Sequence, residues 1–464
     1  MTLTDSETAR LFLALALLLG AAHVGGSSFA RLRQPRVIGE IAGGLVLGPT
    51  IFGALLPDLQ GDVFSPQGGV PQALAAMYQL GLVLLMFLAG TELRTALHGH
   101  EQRVAVSIAV VGTSLPFGAG LATAALADLE GLQGPAHNPT ALVLVFATAV
   151  AVTSIPVISR IMLDLGLGGT SFARIVLGAA VMEDLALYGV LAVAVGLSTG
   201  PSGGYGLPHD LGIAPGSAAG AAYYVAATAA VLTLALNLAR GAPRRPLARA
   251  LARLQRSTAA QLVFLLAVAA ACLMLSVLPV FGGLAAGLVL GARGDVSDAR
   301  RAATTSIRQF SLAFFVPLYF ALVGFQLDLA RDLDLLAFVA FTVFACAVKS
   351  ASVYFGARLA GEPRLAARTF AIAMNARGGP GIVLASVSLA AGIVNETFFT
   401  TLVMLAIVTS LVAGWWLERT VRRGDAPRAE PGPDDAARRS PRAPPPARPA
   451  DRNSVSTGKS VNYE

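Results

Sequence analysis

Runs of apolar residues separated by short polar breaks repeat along the chain from residue 11 to residue 417. Most runs are about 20 residues long, the length that a helix needs to cross the hydrocarbon core of a bilayer. The pattern predicts thirteen transmembrane helices, called spans 1 to 13 below. They lie at 11–30, 37–56, 72–93, 104–127, 140–162, 172–197, 218–239, 258–276, 279–292, 307–326, 334–357, 368–392 and 397–417. The fold class is therefore predicted to be an all-α polytopic membrane protein.

Composition supports a membrane protein. Only 13% of the 464 residues are charged and 55% are hydrophobic, with a mean hydropathy of +0.67, whereas soluble domains carry about 25% charged residues. The basic residues lie in loops and in the C-terminal tail, so the net charge of +7 does not indicate nucleic-acid binding. Cys272 and Cys346 lie in apolar runs without metal-ligand spacing and are interpreted as small buried hydrophobic residues. No cofactor is expected.

The loops between the spans differ in charge, which predicts an orientation. Cytoplasmic loops carry an excess of Lys and Arg. One alternate set of loops carries Arg31, Arg33, Arg36, Arg94, Arg103, Arg160, Arg174, Arg240, Arg244, Arg245, Arg249, Arg253, Arg256, Arg293, Arg300, Arg301, Arg308, Arg358, Arg364 and Arg368. The other set carries Arg331 alone. The N-terminus is therefore predicted outside and the C-terminus in the cytoplasm, with the chain in the cytoplasmic (inner) membrane.

The chain is predicted to divide into a membrane domain at 1–418 and a tail at 419–464. The tail is rich in Pro, Ala and charge and has no apolar face, so it is predicted to be a disordered cytoplasmic segment. A role as a segment that contacts a partner or lipid headgroups is the alternative.

Two similar strings suggest an internal repeat, "GEIAGGLVLG" at 39–48 and "GGLAAGLVLG" at 282–291. Under the predicted orientation, the spans that hold them run in opposite directions. The chain is therefore predicted to contain two six-helix inverted repeats, at about 11–197 and 258–417, joined by a linker helix at 218–239. Such repeats are typical of secondary transporters. The alternative is that Gly-, Ala- and Leu-rich membrane helices resemble one another by chance.

Spans 5 and 12 hold helix-breaking strings at corresponding places in the two halves. Span 5 contains "TSIP" and span 12 contains "NARGGPG". Proline and glycine disfavour helix interiors, and backbone groups freed at membrane depth must line a cavity or meet polar side chains. Both spans are predicted to be discontinuous around a substrate site near the midplane. The residues at the breaks are Thr153, Ser154, Pro156, Asn375, Gly378, Gly379 and Pro380.

Four ionisable residues lie deep in the apolar spans. They are Glu183 and Asp184 in span 6, Lys349 in span 11 and Arg377 in the break of span 12. A charge at the bilayer centre costs at least about 2.5 kcal/mol, so such residues indicate function. Neighbouring helix positions point about 100° apart, so one carboxylate can pair with a cation while the other faces a cavity. That carboxylate would hold either a proton or a cation.

Alternatives to this exchange chemistry remain for each charge. The carboxylates and Lys349 could form an ion pair that only locks helices together. Lys349 could instead be a second proton carrier, because burial favours the neutral amine. Arg377 does not deprotonate and is interpreted as compensating the partial negative charge at half-helix C-termini.

Several segments together resemble the monovalent cation:proton antiporter branch of the sodium/proton exchanger superfamily. They lie at 34–53, 80–94, 153–167, 177–193, 348–361 and 373–385. The resemblance implies a homodimer in which an interface domain carries a mobile core domain with two crossed discontinuous helices, 5 and 12. It implies that Asp184 binds the transported cation and exchanges the proton, with Thr153 and Ser154 nearby. Lys349 matches the family's intramembrane basic residue, and Glu183 stands where it would be paired.

The predicted function is a secondary antiporter that exchanges Na⁺ or K⁺ for H⁺ by alternating access at this midplane carboxylate. A carrier of the same fold, or a cation channel or sensor without proton coupling, is the alternative. An enzyme is disfavoured because no HExxH, GxGD or Ser/His pair occurs at helical depth. Glu183 stands where the family commonly has Asp or Asn, which bears on net charge movement. In related bacterial chains an acidic residue often follows the Arg-Gly pair of span 12, whereas this chain has "RGGPG". This difference bears on which cation the protein prefers.

Overall fold

The structure is a computed structural model that describes most of residues 3–423. The positions outside the description are 1, 2, 33, 65–67, 93–98, 155–157, 159–161, 163, 164, 166, 168, 169, 200–206, 214–217, 241–253, 292–297 and 424–464. The described residues form helices joined by short connections, and a single isolated bridge, between Gln133 and Val394, is their only β pairing. The all-α prediction is confirmed. Nearly all of the predicted tail lies outside the described residues.

The helices of the N-terminal half follow the predicted spans closely. In chain order they are α1 (Asp5–Arg31), α2 (Arg36–Leu47), α3 (Pro57–Val63), α4 (Val70–Glu92), α5 (Gly99–Leu126), α6 (Pro139–Ala151) and α7 (Ser171–Thr199). A π-helical turn over Pro49–Gly53 extends α2. The short α3 occupies part of the loop between spans 2 and 3.

The helices of the C-terminal half begin after residue 206. They are α8 (Leu207–Asp210), α9 (Ala218–Arg240), α10 (Thr258–Met274), α11 (Pro279–Gly291), α12 (Asp298–Phe310), α13 (Val316–Phe325), α14 (Leu329–Asp332), α15 (Leu335–Leu359), α16 (Arg364–Ala373), α17 (Gly378–Ala390) and α18 (Glu396–Arg422). A π-helical turn over Ser311–Phe315 joins α12 to α13. The last helix runs to Arg422, four residues beyond the predicted domain boundary.

Polar caps fix where several apolar runs become helical. Thr4 and Glu7 form a reciprocal capping box at the start of α1. The side chains of Asn138, Asp334 and Asn395 accept hydrogen bonds from backbone N–H groups in the first turns of α6, α15 and α18. Each cap satisfies a donor that has no partner within its helix. The polar residues that separate the runs therefore also define the helix starts.

Each of the thirteen predicted spans lies on at least one helix, but the helices differ in length. Among the described residues, nine helical segments are long and apolar enough to cross a membrane, and α6, α10 and α11 are shorter apolar helices. The 13 residues of α6 reach only about 20 Å at 1.5 Å per residue. Span 12 is divided between α16 and α17. The chain is a multi-pass membrane protein, while the count of thirteen spans stays a prediction.

The two similar glycine-rich strings bring helix backbones close together. A Cβ on Gly44 of α2 would lie 1.9 Å from the carbonyl oxygen of Ala321 on α13. A Cβ on Gly287 of α11 would lie 2.2 Å from the carbonyl oxygen of Phe87 on α4. Small residues allow such approach between membrane helices. Both strings thus serve close packing, and the inverted repeat stays a prediction.

The principal contacts sort most of the helices into two groups. One group contains α1, α2, α4, α10, α11 and α13, and the other contains α5, α6, α7, α15, α16, α17 and α18. Helix α9 packs on α11 of the first group and on α7 of the second. All four predicted buried charges and both helix breaks lie in the second group.

Candidate functional site

The first helix break follows α6. Val152 has an extended conformation, with φ −64° and ψ 144°, and ends the helix. Thr153 and Ser154 continue outside helical geometry and are fully buried. Pro156, predicted to contribute to this break, lies outside the described residues. The break predicted in span 5 is therefore present at Val152–Ser154.

The second break separates α16 from α17. The backbone N–H groups of Asn375 and Ala376 bond to carbonyls three residues earlier, so α16 ends in a tighter turn. Arg377 is the N-cap of α17, and its carbonyl accepts the first helical bond, from Gly381. Pro380 occupies the third helical position, where a missing N–H leaves no helical bond unmade. Span 12 is discontinuous, as predicted.

The two breaks contact each other through hydrogen bonds. The N–H of Ser154 donates to the carbonyl of Ala376 at 2.6 Å, and the Thr153 hydroxyl donates to the carbonyl of Met374 at 2.8 Å. The N–H of Gly379 donates to the Ser154 hydroxyl oxygen at 3.1 Å. Backbone groups freed in one break are thus satisfied by the other. Thr153 and Ser154 connect the breaks.

The second break also depends on α18 and α15. The Ser410 hydroxyl accepts from the N–H of Gly378 at 3.2 Å. Asn375 donates to the Ser350 hydroxyl oxygen at 2.8 Å and accepts from the Arg377 guanidinium at 3.2 Å. These contacts hold the non-helical backbone and orient Arg377.

Two cationic side chains cap the C-terminus of α6. Arg377 donates to the carbonyls of Ala149 and Val150 at 3.3 and 3.0 Å. Lys349 donates to the carbonyl of Ala151 at 2.6 Å. The N–H of Val152 bonds to the fourth carbonyl, that of Thr148. All four terminal carbonyls of α6 are satisfied, and two positive charges lie at the negative end of the helix dipole.

Lys349 also forms a buried ion pair. Its Nζ lies 2.9 Å from Oε2 of Glu183, and both side chains have 0% exposed area. The carbonyl of Gly112 on α5 accepts a third hydrogen bond from Nζ at 2.9 Å. An ammonium group has three donors, so all three are used. The geometry assigns the Glu183 carboxylate, and not that of Asp184, as the partner of Lys349.

Asp184 stands beside this pair, and no described residue forms an ion pair with its carboxylate. Its residue is 7% exposed, and its Oδ1 has no hydrogen-bond partner among the described residues. The second Glu183 oxygen, Oε1, is likewise unpartnered in the described part of the chain. The described residues contain no group of three or more His, Cys, Asp or Glu side chains that could hold a resident metal ion. A buried carboxylate in this state can accept a proton or a desolvated cation.

Several side chains of the site were not singled out from the sequence. Ser350 follows Lys349 directly in the sequence. The polar pair Thr409 and Ser410 interrupts an apolar span, and the Thr409 hydroxyl oxygen accepts from the N–H of Arg377 at 3.4 Å. Both features are weak signals in the sequence. Cys346 was interpreted as a small hydrophobic residue, but its Sγ lies 3.6 Å from the Arg377 guanidinium as an acceptor. The carbonyls that bind Lys349 and Arg377 carry no sequence signal.

Comparison with known proteins identifies the family of the chain. The family model described as "Sodium/hydrogen exchanger, transmembrane" matches residues 14–423. The chain belongs to this family. The exchanger is 28% identical to the Na⁺/H⁺ antiporter NhaS4 of Synechocystis, over 88% of this chain and 96% of that protein. It is 29% identical to K⁺/H⁺ antiporter 1 of Saccharomyces cerevisiae, over 83% of this chain but only 43% of that protein.

A solved structure also resembles this exchanger. It is the sodium proton antiporter MjNhaP1 from Methanocaldococcus jannaschii, with a TM-score of 0.53 and 13% identity over 90% of this chain and 99% of that one. At this identity the likeness concerns the fold. The predicted family is confirmed, and the relatives are transporters and not enzymes.

Proposed function

We propose that this exchanger is a secondary active antiporter that exchanges Na⁺ or K⁺ for H⁺ at Asp184 by alternating access. The observation that carries the proposal is the buried Asp184 carboxylate, whose Oδ1 has no partner among the described residues. It lies beside a Glu183–Lys349 pair that is already complete at 2.9 Å. Of the two carboxylates, Asp184 is the one without a cationic partner among the described residues, which supports it as the group that binds a transported ligand.

Exchange follows from competition at this carboxylate. In a low dielectric medium an isolated carboxylate is costly, so it binds a proton or a cation. Either ligand adds one positive charge and occupies the same oxygens, so binding of one disfavours the other. The Thr153 and Ser154 hydroxyls lie at the adjoining break and are candidates for nearby oxygen ligands. The cation at Asp184 is the substrate and not a resident metal.

The neighbouring cations are proposed to position and balance the site. Arg377 and Lys349 compensate the α6 terminus through carbonyl bonds of 2.6–3.3 Å. Because every donor of Lys349 is used, release of its proton would leave one of the three acceptors without a donor, so the proposed role of Lys349 is that of charge partner. One-for-one exchange at Asp184 is therefore the favoured stoichiometry.

Alternating access is supported by the division of the helices. The group with the breaks and charges packs mainly within itself, as does the group of α1, α2, α4, α10, α11 and α13. Movement of one group against the other would open Asp184 to each side in turn, the usual arrangement in transporters with interrupted helices. A homodimer in the inner membrane, with the N-terminus outside, is proposed from the family resemblance and the loop arginines.

The test measures cation-dependent proton movement. Everted vesicles containing the protein are loaded with a pH-sensitive dye, given a proton gradient and then exposed to Na⁺, K⁺ or Li⁺ with the membrane potential clamped. The gradient should dissipate with at least one cation, and Asp184→Asn should abolish the response. Asp62→Asn is the matched control, because Asp62 is exposed on α3 and outside the site.

The outcomes separate the alternatives. Dissipation that requires an unclamped potential would indicate a channel. Full activity in Asp184→Asn, or no response to any cation, would refute antiport at this carboxylate.

A further inference from the structure

A cavity of about 320 Å³ lies at one end of the helices, where α10 connects to α11 and α17 ends. Leu278, Pro279 and Ala390 form part of its wall, together with Tyr78 of α4 and Ser386 of α17. The connections at 277–278 and 393–396 belong to the set of loops that is poor in arginine. The cavity therefore opens toward the arginine-poor face.

Beside this cavity, side-chain hydroxyls from four helices converge. They belong to Tyr78 on α4, Tyr188 on α7, Tyr319 on α13 and Ser386 on α17, and are called the hydroxyl cluster here. The ring centroids of Tyr78 and Tyr319 are 5.0 Å apart. Tyr319 lies close enough to interact with the side chains of the other three residues. The cluster joins helices of both contact groups.

Three of the four hydroxyls of the cluster are buried without a hydrogen bond of good geometry, although the side chains of Tyr78, Tyr319 and Ser386 lie within reach of one another. Tyr188, Tyr319 and Ser386 are 7%, 0% and 6% exposed, and their hydroxyl oxygens have no hydrogen-bond partner within the described residues. A buried polar group without a partner costs about 1–3 kcal/mol. Groups of this kind are normally satisfied by ordered water. Ser386 lines the adjoining cavity, so water there is the natural partner for its hydroxyl.

The cluster also reaches the proposed ion site. Tyr188 follows Asp184 by four residues on α7, so the two side chains share a helix face about 6 Å apart. On the other side, Ser386 lines the cavity directly. Polar oxygens thus continue from Asp184, through Tyr188 and Tyr319, to the cavity.

We propose that the hydroxyl cluster is a hydrated passage through which the cation and the proton move between Asp184 and the arginine-poor face. The inference rests on the proposed exchange at Asp184 and identifies the groups that serve one side of it. The hydroxyl oxygens replace part of the hydration shell of the cation, as oxygen-lined filters do. With bridging water they also conduct a proton, because each hydroxyl both donates and accepts.

A sided kinetic measurement tests the passage. The protein is reconstituted in liposomes with determined orientation, and the KM for the cation is measured from each face. Loss of one hydroxyl ligand worth about 1 kcal/mol predicts a rise of about fivefold in KM. Tyr319→Phe and Ser386→Ala should show this rise from the arginine-poor face and less than about twofold change from the other face.

Tyr223→Phe is the matched control, because its hydroxyl is also unpartnered within the described residues but lies outside the cluster. It should leave both KM values unchanged. A purely structural role of the cluster would change both faces alike, so symmetrical changes, or none, would overturn the passage. Ser386→Ala removes few atoms and remains informative where Tyr319→Phe folds poorly.

Labelling provides a second readout that does not require transport. Ser386→Cys should react with a membrane-impermeant methanethiosulfonate added at the arginine-poor face, and the reaction should block exchange. Wild type gives the background from its two cysteines, of which Cys272 is 1% exposed and Cys346 is partly exposed. Reaction from the arginine-rich face only, or no reaction, would contradict the passage. If the wild-type protein exchanges no cation, the proposed antiport is refuted. The labelling experiment then still reports whether the cavity is accessible from the arginine-poor face.

Discussion

Removing the charge of one partner of the Glu183–Lys349 pair is expected to destabilise the exchanger strongly. Removing the charges of both partners together is expected to destabilise it much less. Lys349→Gln removes the buried cation that lies 2.9 Å from Oε2 of Glu183. It also removes donors to the carbonyls of Gly112 and Ala151. The Glu183 carboxylate then remains in the membrane interior without a compensating charge, next to Asp184.

The magnitude follows from these contacts. Removing one partner of a buried ion pair costs about 3–5 kcal/mol, whereas replacing both can be nearly neutral. Glu183→Gln should cost less than Lys349→Gln, because the amide oxygen still accepts from Lys349. The double variant Glu183→Gln/Lys349→Gln restores a neutral hydrogen-bonding pair. Its unfolding free energy should exceed that of Lys349→Gln by about 2 kcal/mol.

The assay is denaturant unfolding of the purified protein in mixed micelles, followed by circular dichroism for wild type, both single variants and the double variant. The interaction energy comes from the double-mutant cycle. Asp62→Asn serves as a surface control for loss of a carboxylate charge. Additive effects of the two single variants, or a Lys349→Gln variant as stable as wild type, would refute the argument that Lys349 compensates the buried charge of Glu183.

Two further variants test packing and capping. Gly44→Ala should destabilise the protein by at least about 1–3 kcal/mol, since its Cβ would lie 1.9 Å from the Ala321 carbonyl oxygen. Gly118→Ala, whose Cβ would have nothing within 4 Å, should be neutral in the same denaturant unfolding assay, and equal losses for the two variants would contradict the packing argument. Arg377→Lys keeps the charge but cannot span the α6 carbonyls with a planar guanidinium. It should lower the exchange rate several-fold in the vesicle assay while leaving the protein in the membrane, and an unchanged rate would exclude a role for the geometry of Arg377.

The sequence alone identified the family, the apolar runs and the buried ionisable residues. These features depend on composition and spacing, because a bilayer requires apolar runs of nearly fixed length and makes each embedded charge conspicuous. The breaks at Thr153–Ser154 and around Arg377 were also predictable, since proline and glycine act locally on the helix. The number of spans stays a prediction, because helices such as α6 are too short to be identified as membrane spans by their length.

Tertiary structure decided which groups meet. Helix geometry alone allowed either carboxylate of the Glu183–Asp184 pair to face Lys349, because their side chains point about 100° apart and the rotation of α7 about its axis is set by its neighbours. Only the family resemblance indicated Glu183. The carbonyls of Gly112 and Ala151 that complete the Lys349 coordination are invisible in the residue types. The hydroxyl cluster likewise combines residues from four helices far apart in the chain. Such contacts depend on helix rotation and packing, which no local pattern encodes.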